Sequence, residues 1–313
     1  MKILVLGAGG IGGYVGGRLA QAGADVAFLV RPKRREQIER DGLAIESPLG
    51  NARVAAKTLL AEEVGPGYDA VIFTCKAYDL DSAMDAIAPA VHGNCAVLPL
   101  LNGLAHLDSL DQRFGRDQVM GGTAHVNVGL RSDGVIWHGD ALQRIIFGER
   151  DRSKSARAQA LADAFAKSTL DWRLSDDIEQ DLWEKVAFLS ALAAVTCLFR
   201  ANVGEIMAAP GGREAMLRAL DANIEIATRE GHAPRAAPIE AARARLTQPG
   251  GDWSSSMARD LEAGRPVEAD HIVGWMLAKA RAHGVDDTIL SLAYANLKAY
   301  ERRRAAGRLP RES

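Results

Sequence analysis

Six residues near the amino end, Gly7-Ala8-Gly9-Gly10-Ile11-Gly12, have the types and spacing to cradle a phosphate. They follow a short apolar run, Met1–Leu6, and lead into a helix-compatible segment, Tyr14–Ala22, and a second apolar run, Val26–Val30. Strand, glycine turn, helix, strand is the context in which G-x-G-x-x-G denotes dinucleotide binding. Gly7 permits the tight turn, Gly9 lets the backbone approach a pyrophosphate, and Gly12 lets helix pack close on strand. The N–H groups of the first helical turn, beginning at Gly10 and Ile11, then face the phosphates unpaired. The second apolar run ends in Arg31, with Lys33 and Arg34 close behind. An NAD site places Asp or Glu there for the ribose 2′-hydroxyl. A guanidinium instead matches a phosphate with paired donors, so the sequence predicts NADP(H) over NAD(H). The plain alternative is a solvated basic turn.

Other chemistry is thinly supplied. The three cysteines, Cys75, Cys95 and Cys197, are far apart and lack C-x-x-C spacing, which reads as reduced thiols in a cytoplasmic protein. The seven histidines show no H-x-x-x-H pair, and no metal site is expected. The net charge of −2, from 38 basic and 40 acidic residues, builds no field for nucleic acid or membrane. No apolar stretch nears the ~20 residues of a membrane span, and the start does not resemble a signal peptide.

The elements that must position these residues change character along the chain of 313 residues, whose length suggests two domains. Strand-like runs at Lys2–Leu6, Asp25–Val30, Asp69–Thr74 and Cys95–Leu100 alternate with amphipathic segments such as Leu80–Ala90. The last two runs are nearly continuous in apolar residues, as strands covered on both faces should be. Further β-like pieces at Val119–Leu130, Gly134–His138 and Arg144–Phe147, with a turn at Ser132-Asp133-Gly134, suggest an antiparallel extension. Then come a helix, Ala156–Lys167, and a short strand at Trp172–Leu174. Beyond it the pattern is helical: Ile178–Phe199, Gly212–Glu230, Ala236–Leu246, Val267–Ala282 and Thr288–Arg303, with a frayed tail from Arg302 to Ser313. The predicted architecture is α/β, an NADP-binding Rossmann-type domain over residues 1–172 and an all-helical substrate domain over 173–313. Substrate is expected in the cleft between them. A homodimer through the alanine-rich helices and a monomer both remain open.

Five motifs in order go further: the glycine turn; Tyr68-Asp-Ala-Val-Ile-Phe-Thr-Cys-Lys76-Ala77-Tyr78; Leu101-Asn102-Gly103; Asp181-Leu182-Trp183-Glu184-Lys185; and Ser255-Ser256-Met257 followed by Asp260, Glu268, Asp270 and Gly274. Together they resemble the ketopantoate reductase family over nearly the whole chain. The resemblance implies that Lys185 is the general acid and Glu268 the carboxylate that holds the substrate. It places Lys76 and Asn102 beside the nicotinamide, Asn102 and Ser256 against the substrate, and Arg31 on the 2′-phosphate. The chemistry is coherent: hydride addition to a 2-oxo acid leaves charge on the former carbonyl oxygen, and a nearby ammonium stabilises that charge and supplies the proton. Each residue also has a plainer reading. Lys185 could be a surface lysine, Glu268 a helix-start acid favoured by the dipole, Ser256 a cap, Asp270 a structural contact and His125 a packed side chain.

The chain departs from that family on the substrate side. Where the family pattern carries asparagines, it has Leu189, Ala193, Trp253 and Val273. Leu189 and Ala193 lie one and two helical turns beyond Lys185, on its face. Each amide lost from a buried site removes hydrogen bonding worth on the order of 1 kcal/mol. The formal reaction implied is reduction of 2-dehydropantoate to (R)-pantoate, a step of pantothenate biosynthesis. The altered wall suggests a paralogue acting on a more apolar 2-oxo acid, and a non-catalytic NADP(H)-binding protein is the remaining alternative.

Overall fold

A computed structural model of the chain describes residues 1–309. It divides into two compact units, one of Met1–Leu101 with His106–Glu179 and one of Asn102–Ala105 with Gln180 onward. The expected boundary at 172/173 would cut a strand, Asp171–Leu174, that belongs to the first unit.

The first unit holds ten strands: β1 (Lys2–Leu6), β2 (Asp25–Leu29), β3 (Leu43–Glu46), β4 (Ala52–Val54), β5 (Lys57–Leu59), β6 (Ala70–Phe73), β7 (Ala96–Pro99), β8 (Gly121–Leu130), β9 (Ile136–Gly148) and β10 (Asp171–Leu174). One sheet runs β5-β2-β1-β6-β7 and is parallel throughout. β6 and β7 are buried at every position, which explains their unbroken apolar runs. The second sheet runs β10-β9-β3-β4, with β8 paired antiparallel to β9 across a bulge between Val126 and Val128. The antiparallel extension is therefore a long hairpin. The two pieces expected at Gly134–His138 and Arg144–Phe147 are one strand, β9, because β8 pairs along its length.

The helix Gly10–Gln21 lies between these sheets, and its glycines explain how. A Cβ on Gly16 would come 2.7 Å from the Phe28 ring of the parallel sheet. On the other side, a Cβ on Gly17 would come 2.8 Å from Ile45 Cδ1, and one on Gly13 would overlap Ile136 Cδ1. The surrounding core includes Val5, Phe28, Ile45, Ile72, Leu98, Ile136 and Phe147.

The second unit is helical, with Ile178–Phe199, Val203–Ala208, Gly212–Arg229, Ala236–Leu246, Ser256–Glu262, Trp275–His283 and Thr288–Ala305. Its core gathers Ala191, Leu192, Val195, Ile206, Met216, Leu220 and Leu246. Two expectations change. Ile178–Phe199 is long and apolar enough to cross a membrane: an 18-residue portion of it has a mean hydropathy of 1.6, but 67% of that portion is buried inside the protein. Its Ala191, Leu192 and Val195 lie in the unit's core, and a buried core helix meets the same compositional test as a membrane span. The helix expected at Val267–Ala282 is interrupted: Asp270–Gly274 is a π-turn, and regular α-helix begins only at Trp275. Of the tail, Arg302–Ala305 is helical, while residues 310–313 lie outside the described part.

Candidate active site

The glycine turn begins where β1 ends. Gly7 adopts φ +87°, a left-handed conformation open to glycine, and its N–H donates to Leu29 O at 2.8 Å. A Cβ on Gly12 would overlap both the Gly7 carbonyl oxygen and Thr74 Oγ1, so helix and strand touch backbone to backbone there. A Cβ on Gly10 would sit 3.1 Å from the backbone of Val128 and Gly129, so β8 passes directly over the start of the helix. Gly9 differs: nothing lies within 4 Å of where its Cβ would be. Among the described residues no side chain caps this helix, and its first turn carries no acid. Open backbone at Gly9, free N–H groups and the positive end of a helix suit a pyrophosphate.

Arg31 ends the run after β2 and precedes the helix Pro32–Asp41. Its side chain is 79% exposed and pairs with Asp79, Nη2 to Oδ1, at 3.1 Å. Lys76, half-buried, closes the segment after β6, and Asp79 lies one short turn beyond it. Sequence reasoning missed Asp79 because nothing local marks a carboxylate 48 residues away as a partner of Arg31. Lys33 is exposed, whereas Arg34 turns inward. Arg34 Nε donates to Ala8 O at 3.0 Å, and Nη1 donates to Gly134 O at 2.9 Å, tying the glycine turn to the β8–β9 turn.

In the second unit, Lys185, Leu189 and Ala193 follow one another along the helix Ile178–Phe199. Lys185 is half-buried, and desolvation pushes its ammonium pKa down to about 7. Leu189 is half-buried, but Ala193 is 1% and Val273 0% exposed. Those two belong to the packed interior and present no surface, so a contact of Ala193 with substrate is not supported. Trp253 is half-buried, stacks on Phe188 at 6.3 Å between centroids, and carries the Arg245 guanidinium 4.5 Å from its ring. Phe188 and Arg245 were not singled out from the sequence. Ser255, not Ser256, is the cap: its Oγ accepts from Ala258 N at 3.0 Å, leaving Ser256 half-buried at the first helical position.

Glu268 lies just before the π-turn, half-buried, and its carbonyl accepts from Ile272 N at 3.2 Å. Asn102 and Gly103 are grouped with this unit. Gly103 has φ +82°, and a Cβ there would come 3.1 Å from His271 O and 3.5 Å from Ile272. The structure thus brings the Asn102–Gly103 turn against the π-turn that follows Glu268. His271 is half-buried there, and burial pushes its imidazole below the ordinary value while the Glu268 charge opposes that shift. His125 is half-buried on β8, opposite Arg144.

The sheet order and glycine turn define a Rossmann-type nucleotide-binding unit, joined here to a helical one. Residues 3–152 match the family model of ketopantoate reductase PanE/ApbA, and residues 177–301 match its C-terminal counterpart. The chain is 37% identical over 301 residues to the uncharacterized oxidoreductase YkpB of Bacillus subtilis, covering 96% of this chain and 99% of that one. A solved 2-dehydropantoate 2-reductase from Geobacter metallireducens superposes with a TM-score of 0.87 at 28% identity, over 96% of this chain and 99% of that one. D-mandelate dehydrogenase, solved with NADH and anilino(oxo)acetate, shares the fold with a TM-score of 0.86 at 22% identity, over 97% of this chain and 100% of that one. The chain belongs to the ketopantoate reductase family, whose members are oxidoreductases acting on CH–OH groups.

Proposed function

We propose that this oxidoreductase reduces a 2-oxo acid to the 2-hydroxy acid with NADPH. The observation that carries the reading is Lys185, a half-buried ammonium with its pKa lowered to about 7, on a helix of the unit that also holds Glu268 and Asn102. A proton donor works best when its pKa lies near the operating pH. When bound, the reduced nicotinamide supplies hydride. Gly9, Gly10, Ile11 and Gly12 hold the pyrophosphate through backbone N–H groups at the turn that Gly7 shapes, Arg31 holds the 2′-phosphate, and Lys76 and Asn102 line the nicotinamide. Lys185 Nζ donates its proton to the substrate's carbonyl oxygen and offsets the negative charge developing there. Glu268 and Ser256 orient the substrate. The three cysteines, far apart in the chain and without C-x-x-C spacing, fit a reducing compartment, the cytoplasm.

The formal substrate is 2-dehydropantoate. A second reading, a more apolar 2-oxo acid, is favoured by Leu189 and the Trp253–Phe188 stack, which replace hydrogen-bonding amides with apolar surface. The test is NADPH oxidation with 2-dehydropantoate, 2-oxoisocaproate and phenylpyruvate, with Lys185→Ala as control. Higher kcat/KM for the last two selects the second reading, and a strong preference for 2-dehydropantoate selects the first. NADPH binding without turnover of any carbonyl compound would leave only a nucleotide-binding role.

A further inference from the structure

The π-turn carries more of the candidate site than its five residues suggest. Glu268 precedes it, its carbonyl bonded into the turn through Ile272 N, and the Asn102–Gly103 turn rests on its His271 carbonyl. A π-turn is wider than an α-turn and has poorer internal geometry, so it needs outside support to persist. That support comes from the C-terminal helix, chiefly from Tyr294. Tyr294 Oη donates to Asp270 Oδ1 at 2.6 Å, at the first residue of the turn. The same ring lies against Gly274, the last residue, where a Cβ would come 2.7 Å from Tyr294 Cε2. One phenol therefore spans the turn end to end. Lys298, one helical turn further on, donates to Asp270 Oδ2 at 2.9 Å and secures the same carboxylate. These contacts hold the Asp270 carboxyl below its ordinary value despite partial burial.

We infer that Tyr294 is a positioning residue for the reaction, acting through the π-turn to set where Glu268 stands. The inference rests on the reductase reading above. Tyr294 has no proton-transfer role, and Gly274 is small because the ring occupies the space of its side chain. Tyr294→Phe keeps the ring against Gly274 and deletes only the bond to Asp270. Asp270→Ala deletes the same bond from the other end, together with the one from Lys298.

The experiment is a double-mutant cycle with Glu268→Gln, using NADPH and the 2-oxo acid turned over fastest in the panel above. Tyr294→Phe and Asp270→Ala are each expected to lower kcat about tenfold, with NADPH affinity and melting temperature close to wild type. In the Glu268→Gln background, either change should lower kcat by less than about twofold, because the group they position is already gone. An equal loss in both backgrounds would overturn the inference while leaving the reductase reading standing. Normal kcat in Glu268→Gln alone would remove Glu268 from the reaction, and the inference with it.

Discussion

Lys185 is the residue whose chemistry is most exposed to test. With its pKa pushed down to about 7 by desolvation, it is about half protonated in the free enzyme near neutrality. On the proposed role of Lys185, reduction needs the protonated form, so kcat/KM for the 2-oxo acid is expected to fall as pH rises through about 7, while oxidation of the hydroxy acid rises over the same range. A flat profile between pH 6 and about 9 would remove Lys185 as the proton donor. Lys185→Ala should lower kcat by roughly a hundredfold or more and leave the NADPH dissociation constant within about twofold, read by nucleotide fluorescence. Asp79 bears on the cofactor. Its carboxylate already engages Arg31, so on the proposed NADPH reading a 2′-phosphate has to share or displace it. An exposed pair of this kind is worth at most about 1 kcal/mol, which makes the exchange cheap but not free. Asp79→Asn is expected to tighten NADPH binding about threefold and leave NADH unchanged; equal shifts for both nucleotides would show that Arg31 does not meet the phosphate.

At the scale of elements, the parallel strands and the long helices were legible because their residues meet their surroundings locally. Ile178–Phe199 and Ala236–Leu246 run between the residues that periodicity indicates. β3, β4 and β5 were not legible: they are three or four residues long, too short for a period to register. The helix Pro32–Asp41 buries only Ile38, so its sequence shows charge and no apolar stripe. The π-turn has no local signature, since what maintains it is Tyr294, twenty residues beyond Gly274 in the chain. The same division runs through the site. The glycine turn is read from adjacent residues, whereas Asp79 beside Arg31 and the burial of Ala193 depend on tertiary packing. Gly12 offers the element-scale test. Gly12→Ala forces a methyl group into the Gly7 carbonyl and Thr74 hydroxyl, neither of which can move without breaking the turn. It is expected to cost about 1–3 kcal/mol in stability and to abolish dinucleotide binding, measured by thermal unfolding with and without NADPH.

For the molecule as a whole, stability has a readable acid limb. Arg235 holds Asp181 and Glu184 together, both at 2.6 Å from Nη2, and those carboxylate side chains are only 6% and 8% exposed. Glu184 is thereby held below its ordinary value: burial opposes the shift, but the bonds from Arg235 and Gln180 outweigh it. A carboxyl group lowered on folding adds stability above its unfolded pKa, near 4.5, and loses it as pH falls through the lower folded value. Glu230, Asp270 and Asp286 are lowered in the same direction by lysine, arginine or hydroxyl partners. The melting temperature should therefore decline below about pH 4.5. Arg235→Ala should lower it by several degrees at pH 7 and by less at pH 4, as the carboxylates deprived of the guanidinium take up protons. An equal difference at both pH values would show that the pair is not what sets the acid limb.

The helix Gly10–Gln21 has a consequence for anyone who would rebuild this protein. Because Gly13 and Gly17 are pared down to admit Ile136 and Ile45, while Gly16 admits Phe28, the segment is keyed to two sheets at once. A nucleotide-binding motif transplanted from a chain with one sheet would bring ordinary side chains on its outer face and jam against the hairpin. Conversely, this motif moved elsewhere would leave a row of missing methyl groups facing nothing. The phosphate turn is therefore not a portable cassette: recruiting a different dinucleotide here by grafting requires exchanging β3, β8 and β9 along with it.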